Sequence, residues 1–389
     1  MRILVLSFYF EPDLCAGSFR NSALVQALSE KLTADDEVVV ITTIPNRYQS
    51  FPVSAPRNES AGNVRIYRIP LSTHKSGIID QYLAFTSYAR GVFQVTQNQS
   101  YDLVYASSSR LMTAFLGTIV ARRKRIPLYL DIRDIFTETI RDLYPRSSVR
   151  LLLPLFKHIE IFSIRSAARV NLVSPGFMEY FRKIDTAKSF CVFTNGIDLI
   201  DDGCSDEQFS HSDYKEILYA GNIGEGQGLH RIIPNIASRL APSWRIRIIG
   251  DGARQPLLEK AVSGLDNVIL QAPVPRCELI KYYRMASVLF LHLNDHSAFE
   301  KVIPSKLFEY AASEKPILAG AQGVAATFIR DNIENAAIFP PCNADGFFKA
   351  LETLRLENTP RRDFCERYQR SYITGEMVAD ILGLVEQEA

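Results

Sequence analysis

Short apolar runs of strand length alternate with helix-patterned segments along almost the whole chain, and few folds accommodate that rhythm. RILVLSF (2–8), EVVVITT (37–43), VRIYRI (64–69), DLVYASS (102–108), PLYLDIR (127–133) and RVNLVS (169–174) read as strands. Between the first two, NSALVQALSEKL places its apolar residues at helical spacing. EILYAG (216–221), WRIRIIG (244–250), NVILQA (267–272), SVLFLHL (287–293) and KPILAG (315–320) repeat the pattern. A strand that is apolar throughout must be covered on both faces, which implies parallel sheets flanked by helices. The expected fold class is therefore α/β, with two Rossmann-like domains. A length of 389 residues also exceeds one ordinary core.

The polar, acidic run DDGCSDEQFSHSD (201–213) reads as a linker or surface loop. We expect a first domain over 1–198, a second over 199–370, and a C-terminal helix over 371–389 able to cross back to the first. Lys and Arg total 44 against 43 acids, a net charge of +1. Nucleic-acid binding would require a basic excess, so no nucleic-acid partner is expected. The six cysteines are scattered without a C-x-x-C pair, as in a reduced, cytoplasmic chain. The N-terminal MRILVLSFYFEPD lacks a small-residue cleavage site and reads as a first buried strand.

In open parallel sheets, ligands bind beyond the carboxyl ends of the strands, so the residues there carry the chemistry. LYAGNIGEGQGLHRII (218–233) runs from a strand through Gly221, Gly224, Gly226 and Gly228 into a helix. Such a turn brings backbone N–H groups to a phosphate, although a plain tight turn has the same glycines. RIIGDGARQ (247–255) offers Gly250 and Gly252 at another strand end, where they could simply terminate the strand. In FEKVIPSKLFEYAASEKPILAG (299–320), Pro304 and Ser305 mark a helix start. Ser305 is placed to cap, leaving the N–H groups of Lys306 and Leu307 for an anion. Glu309 lies one turn further, where it would repel that anion and suits neutral hydroxyls such as a ribose diol. A solvated helix acid is the alternative.

DIRDIFTE places Asp131, Arg133, Asp134 and Glu138 at a first-domain strand end, more ionisable groups than a buried turn needs, unless they form a salt-bridged loop. Arg20 lies in GSFRNS at the first helix. His292 and His296 flank a strand end, poorly placed for a metal, and no D-x-D occurs. VRLLLPLFKHIEIFSIRSAAR (149–169) mixes leucines with Arg150, Lys157, Arg165 and Arg169. It suits an anionic membrane surface or an ordinary half-buried helix, and Pro154 argues against one continuous helix.

Gly17 after the first strand, LYLDIRDIFTE, VSPGF, TNGID, YAGNIGEGQGL, IGDG and VIPSKLFEYAASEKPIL occur in an order that resembles the family 4 glycosyltransferases of the GT-B fold. Within them the chain is most similar to the bacterial O-antigen and capsule branch that includes WbuB-like aminosugar transferases. The resemblance implies two domains facing across a cleft and a retaining, metal-independent transfer from a nucleotide sugar, with no other cofactor. Glu309 matches the second glutamate of the family's paired-glutamate motif, which holds the donor ribose. Ser305 and Lys306 match positions beside the diphosphate, and Gly221 with the 224–228 loop matches the donor phosphate loop. Gly17 matches the glycine facing the diphosphate from the first domain, and Asn195 the asparagine lining the cleft. DIRDIFTE matches the segment facing the acceptor and the transferred sugar, which makes Asp131, Arg133 and Glu138 the implied acceptor contacts, with Arg20 as a candidate for an acceptor phosphate.

Two departures stand out. Lys301 occupies the position of the first glutamate, with Glu300 one residue off, and Asn222 and Gln227 stand for the usual donor-loop arginine and lysine. The departing diphosphate still needs a cation. Lys306 is the first candidate, with Lys301 and Arg254 behind it; Asp134 and Arg133 complete the expected catalytic set.

The expected activity moves an N-acetylated aminosugar from a UDP-sugar to a lipid-linked or saccharide acceptor in bacterial surface polysaccharide synthesis. The expected location is cytoplasmic, with peripheral contact at the inner face of the membrane. The rival readings are a nucleotide-sugar epimerase of the same fold and a non-catalytic two-lobed nucleotide-sugar sensor.

Overall fold

The computed structural model describes residues 1–46, 53–71, 78–108, 110–143, 148–198 and 214–388. The expected 201–213 linker, with Cys204, lies outside the described residues. The chain divides into two compact units, Met1–Asn195 with Arg370–Ala389, and Gly196–Gln369. The first unit thus closes at Asn195 rather than at 198, and it includes the C-terminal helix.

The first unit is built on β1 (Arg2–Leu6), β2 (Glu37–Thr43), β3 (Asn58–Ala61), β4 (Val64–Ile69), β5 (Leu103–Ser108), β6 (Leu128–Ile132), β7 (Arg169–Leu172) and β8 (Phe190–Cys191). These make one sheet in the order β3-β4-β2-β1-β5-β6-β7-β8. All its pairings are parallel except the β3–β4 hairpin. Neither β3 nor β8 was expected. The four residues NESA of β3 are exposed and polar, so no hydrophobic pattern announces that edge. Its helices are α1 (Ala16–Lys31), α2 (Ile78–Thr96), α3 (Leu111–Lys124), α4 (Phe136–Leu143), α5 (Leu153–Ser166) and α6 (Met178–Arg182). A 3₁₀ turn, Ser148–Leu152, runs into α5, so the helical stretch is interrupted just before Pro154.

The second unit holds β9 (Lys215–Ala220), β10 (Trp244–Ile249), β11 (Val268–Gln271), β12 (Val288–His292), β13 (Ile317–Gly320) and β14 (Ala336–Phe339), paired β11-β10-β9-β12-β13-β14. Every pairing is parallel. Its helices are α7 (Leu229–Ala237), α8 (Gln255–Ala261), α9 (Arg276–Met285), α10 (Lys306–Ala312), α11 (Gly323–Asn332), α12 (Ala344–Thr353) and α13 (Arg362–Arg367). Two apolar clusters, one on each face of the sheet, bury the strands on both sides.

The last helix, α14 (Arg370–Glu388), packs Met377, Val378, Ile381 and Leu384 into the core of the first unit. Polar contacts fix it there. Tyr129 Oη donates to Asp380 Oδ2 at 3.0 Å, and Arg169 Nη2 lies 3.2 Å from Asp380 Oδ1. In each sheet the strand order reverses beside one strand, β1 in the first unit and β9 in the second. The carboxyl ends at these reversals are where a ligand finds an open crevice.

Candidate functional site

The carboxyl end of β9 leads into Gly221, and that of β10 into Gly250. A Cβ on Gly250 would lie 1.9 Å from the Gly221 carbonyl oxygen, so these two turns touch backbone to backbone. Beyond Gly221 the loop is held by its own side chains. Gln227 Oε1 accepts from Asn222 Nδ2 (2.9 Å) and from the Gly224 N–H (3.2 Å), and Asn294 N–H donates to Gly226 O (2.8 Å). Asn222 and Gln227, which stand where the family has cations, therefore brace the loop instead.

His292 braces it from below. Its Nε2 accepts from the Cys342 N–H at 2.9 Å, so Nδ1 carries the proton and donates to Gln227 O at 2.6 Å. Burial pushes the imidazole down to about 4, which keeps it neutral at physiological pH. Arg254 pairs with Glu225 on the same loop, and its N–H donates to Ile223 O at 2.9 Å.

The remaining cation of this set comes from α10. Lys306 Nζ sits 3.6 Å from the Tyr219 ring centroid, and a Cβ on Gly221 would lie 2.7 Å from it. The residue is partly exposed, yet Nζ itself is out of reach of solvent and has no hydrogen-bond partner. Burial pushes the ammonium down to about 7, against the favourable charge of Glu309. A buried amine aimed at the mouth of a glycine loop is poised to receive an anion.

Glu309, one turn on, has Oε2 accepting from Tyr283 Oη at 3.3 Å. Tyr310 beside it accepts the Ala220 N–H at 3.0 Å, and Tyr219 Oη donates to Asn222 O at 2.6 Å. Three tyrosines thus lock α9, α10 and β9 around the Lys306–Glu309 turn. The helix start differs from expectation. Ser305 is already helical (φ −58°, ψ −35°) and makes no side-chain cap, while Leu307 N–H is taken by Pro304 O at 3.1 Å. Pro304 closes a turn of its own, so the Leu307 N–H is not left for an anion. Lys301 ends a 3₁₀ turn, Ser297–Lys301, whose Phe299 ring packs on Gly226; neighbouring Glu300 accepts from Gln322 Nε2 at 3.1 Å.

In the first unit the strand end of β6 behaves differently. Asp131 is fully buried, and Arg20 grips it with Nε to Oδ2 and Nη2 to Oδ1, both at 3.0 Å. Asn171 Nδ2 adds a bond to Oδ1 at 2.6 Å, and Arg20 Nη1 and Nη2 donate to Thr194 O and Phe193 O. Burial alone would raise the Asp131 carboxyl, but Arg20 and Arg133 hold it below the usual range. Arg20 and Asp131, expected to meet the acceptor, are bound to each other and to Asn171 in the interior of the first unit. An acceptor phosphate would find the Arg20 guanidinium already committed.

Arg133 is better placed. Its Nη1 is buried without a hydrogen-bond partner, 3.9 Å from Asp131 Oδ2, and a Cβ on Gly17 would lie 4.0 Å from its Nε. Gly17 and Arg133 are thus brought together. Asp134 accepts from Thr139 Oγ1 at 3.0 Å, and burial pushes it up to about 6. It lines a cavity of about 40 Å³ with Ser108, Phe136, Glu160, Ser163 and Phe181. Glu138 lies 3.9 Å from Arg141 on α4. Asn195 is buried with an unpartnered Oδ1. Among the described residues no group of three His, Cys, Asp or Glu side chains could hold a metal ion.

Residues 205–371 match the family model "Glycosyl transferases group 1", and residues 22–196 match "Glycosyl transferase 4-like domain". The chain thus carries a group 1 glycosyl transferase domain in its second unit and a glycosyl transferase 4-like domain in its first. Solved structures of GT-B architecture support the same conclusion on fold. Sucrose-phosphate synthase from Thermosynechococcus elongatus matches with a TM-score of 0.69 at 15% identity, covering 100% of this chain and 97% of its own. The Anabaena protein HepE in complex with UDP-glucose gives 0.68 at 15% identity, covering 98% and 99%. The lipopolysaccharide outer core galactosyltransferase WaaB gives 0.56 at 14%, covering 100% of each. No curated protein resembles the chain closely enough by sequence to count as a relative.

Sequence reading missed Tyr219, Tyr283 and Tyr310. Tyr310 follows Glu309 directly, but nothing in a helix pattern says that its hydroxyl will meet a β9 N–H. Tyr283 lies on another helix, and only folding brings it to Glu309.

Proposed function

We propose that this enzyme transfers an N-acetylated aminosugar from a UDP-sugar to a lipid-linked or saccharide acceptor, with retention and without a metal, in bacterial surface polysaccharide synthesis. The observation that carries the donor half is the partnerless Lys306 amine beside Gly221, one turn before the Glu309 carboxylate. The amine meets the diphosphate and the carboxylate takes the ribose hydroxyls, so the nucleotide lies along the first turn of α10. Ser305, Gly224, Gly250 and Asn222 border the same loops. Lys301 and Arg254 flank them, and the first unit's own donor candidates are Gly17 and Asn195. The surface-polysaccharide role draws support from the motif order and from the likeness to WaaB.

During transfer the bond from the sugar C1 to the diphosphate breaks, and the acceptor hydroxyl bonds to C1 from the face being vacated. The hydroxyl proton passes to the departing phosphate oxygen, so the protein supplies alignment and charge and no strong base. In the second unit Lys306 stabilises the departing charge; in the first unit Arg133, Asp134 and Glu138 are the groups proposed to serve the acceptor.

Incubation with a panel of UDP-, GDP- and dTDP-sugars, with and without a lipid-diphosphate acceptor, tests the reading by nucleotide release. Release that needs both UDP-sugar and acceptor supports it. Interconversion of the sugar without acceptor would point to an epimerase instead, and binding without turnover to a sensor. Glu309→Ala is expected to weaken UDP-sugar binding by about 1–3 kcal/mol, read by calorimetry. Unchanged affinity in the folded variant would remove the ribose assignment.

A further inference from the structure

The 3₁₀ turn Ser148–Leu152 and α5 bury polar side chains beside Val149 and Ile164 while leaving leucines in water. Glu160 and Ser163 face the protein, whereas Leu151 is 83% exposed, Leu155 53% and Leu152 43%. One exposed leucine is ordinary, but three within five residues form a patch that water does not favour. The buried Glu160 is fully provided for. Lys157 Nζ reaches it at 3.1 Å, Thr137 Oγ1 at 3.2 Å, and Tyr180 Oη also donates to it.

Charge follows the same division. Glu160 is the only acid between residues 148 and 166, and it is turned inward. Arg150, His158 and Arg165 are exposed. Leu151, Leu155, His158 and Arg165 recur at helical spacing and so share one face. That face is apolar at one end and carries no acid along the rest.

Size narrows the occupant. Three leucine side chains offer on the order of 300 Å², against about 800 Å² per partner in a stable protein interface. A second copy of the chain would need far more surface. An anionic bilayer needs only a few apolar side chains at the headgroup boundary and basic groups above them. Among the described residues no helix is long and apolar enough to cross a membrane, so such contact would lie at the surface.

We propose that the Ser148–Ser166 shoulder docks on an anionic membrane surface, with Leu151, Leu152 and Leu155 inserted and Arg150 and Arg165 against acidic headgroups. This would bring the first unit to a lipid-linked acceptor, but the docking stands apart from the transferase reading because its test contains neither donor nor acceptor. The full chain is floated with phosphatidylcholine vesicles with and without phosphatidylglycerol.

Flotation is expected with phosphatidylglycerol and to fall as salt rises. Leu151→Glu with Leu155→Glu is expected to reduce the bound fraction about tenfold or more, with circular dichroism and UDP affinity unchanged. Arg150→Glu with Arg165→Glu should reduce binding to the anionic vesicles. No flotation of the wild type, or unchanged flotation of the double leucine variant, overturns the proposal. So does a dimer in sedimentation that the leucine substitutions dissociate, since a second copy would then cover the patch. Loss of UDP binding in the unsubstituted chain would count against the transferase reading alone.

Discussion

Lys306→Met lowers kcat roughly 10²–10³-fold, the range expected when one preorganised group stabilising a developing oxyanion is removed. Methionine keeps most of the aliphatic stem, so packing against Tyr219 survives and the loss reports charge. The sequence around the site makes this residue unusual. Asn222 and Gln227 hydrogen-bond within the loop, and Arg254 is paired with Glu225, so neither position offers the charge that Lys306 does. Single-turnover rates with saturating donor separate this loss from weaker binding.

A pH dependence accompanies it. In the unliganded enzyme burial holds the Lys306 amine down to about 7. A diphosphate favours the ammonium, so above that pH donor binding must take up a proton. Donor affinity should fall as the pH rises through 7, by at most about tenfold per unit. Calorimetry in buffers of different ionisation enthalpy should detect the proton uptake in the wild type and not in Lys306→Met. A flat profile in the wild type would show that the amine does not meet the diphosphate.

Asp131→Ala is the second large effect, and it concerns stability. Removing the carboxylate leaves the Arg20 guanidinium, 5% exposed, as an uncompensated buried charge. Breaking such a pair costs about 3–5 kcal/mol. Denaturant unfolding should show that loss, and Asp131→Asn should show a smaller one because Asn can still accept from Arg20. If the alanine variant is as stable as the wild type while acceptor KM rises, the pair belongs to the acceptor site after all.

The same residues show how far local sequence carries. DIRDIFTE announces a strand end dense in ionisable groups, and that much is visible in the run itself. Which of those groups turn inward depends on Arg20 from α1, on Asn171 from β7 and on the Phe193 and Thr194 carbonyls. The hydrogen-bonded pairs of this network lie 22 to 174 positions apart in sequence and become neighbours only in the folded sheet. Asp134, two residues beyond the buried Ile132, escapes that network and borders a cavity instead. The edge strand β3 was illegible for a related reason, since an exposed hairpin needs no apolar period.

By itself, the sequence determined the α/β class, eleven of the strands, the glycine-bearing strand ends and the turn carrying Lys306 and Glu309. Periodicity and glycine are properties of neighbouring residues, so a local pattern suffices. The tertiary structure decided what each polar group does: that Arg20 and Asp131 hold the interior, that Asn222 and Gln227 brace a loop, that Glu160 points in while Leu151 points out. It also decided that the Lys306 amine ends beside Gly221 without a partner. Burial and hydrogen-bond satisfaction are set by groups distant in sequence, and no local pattern encodes them.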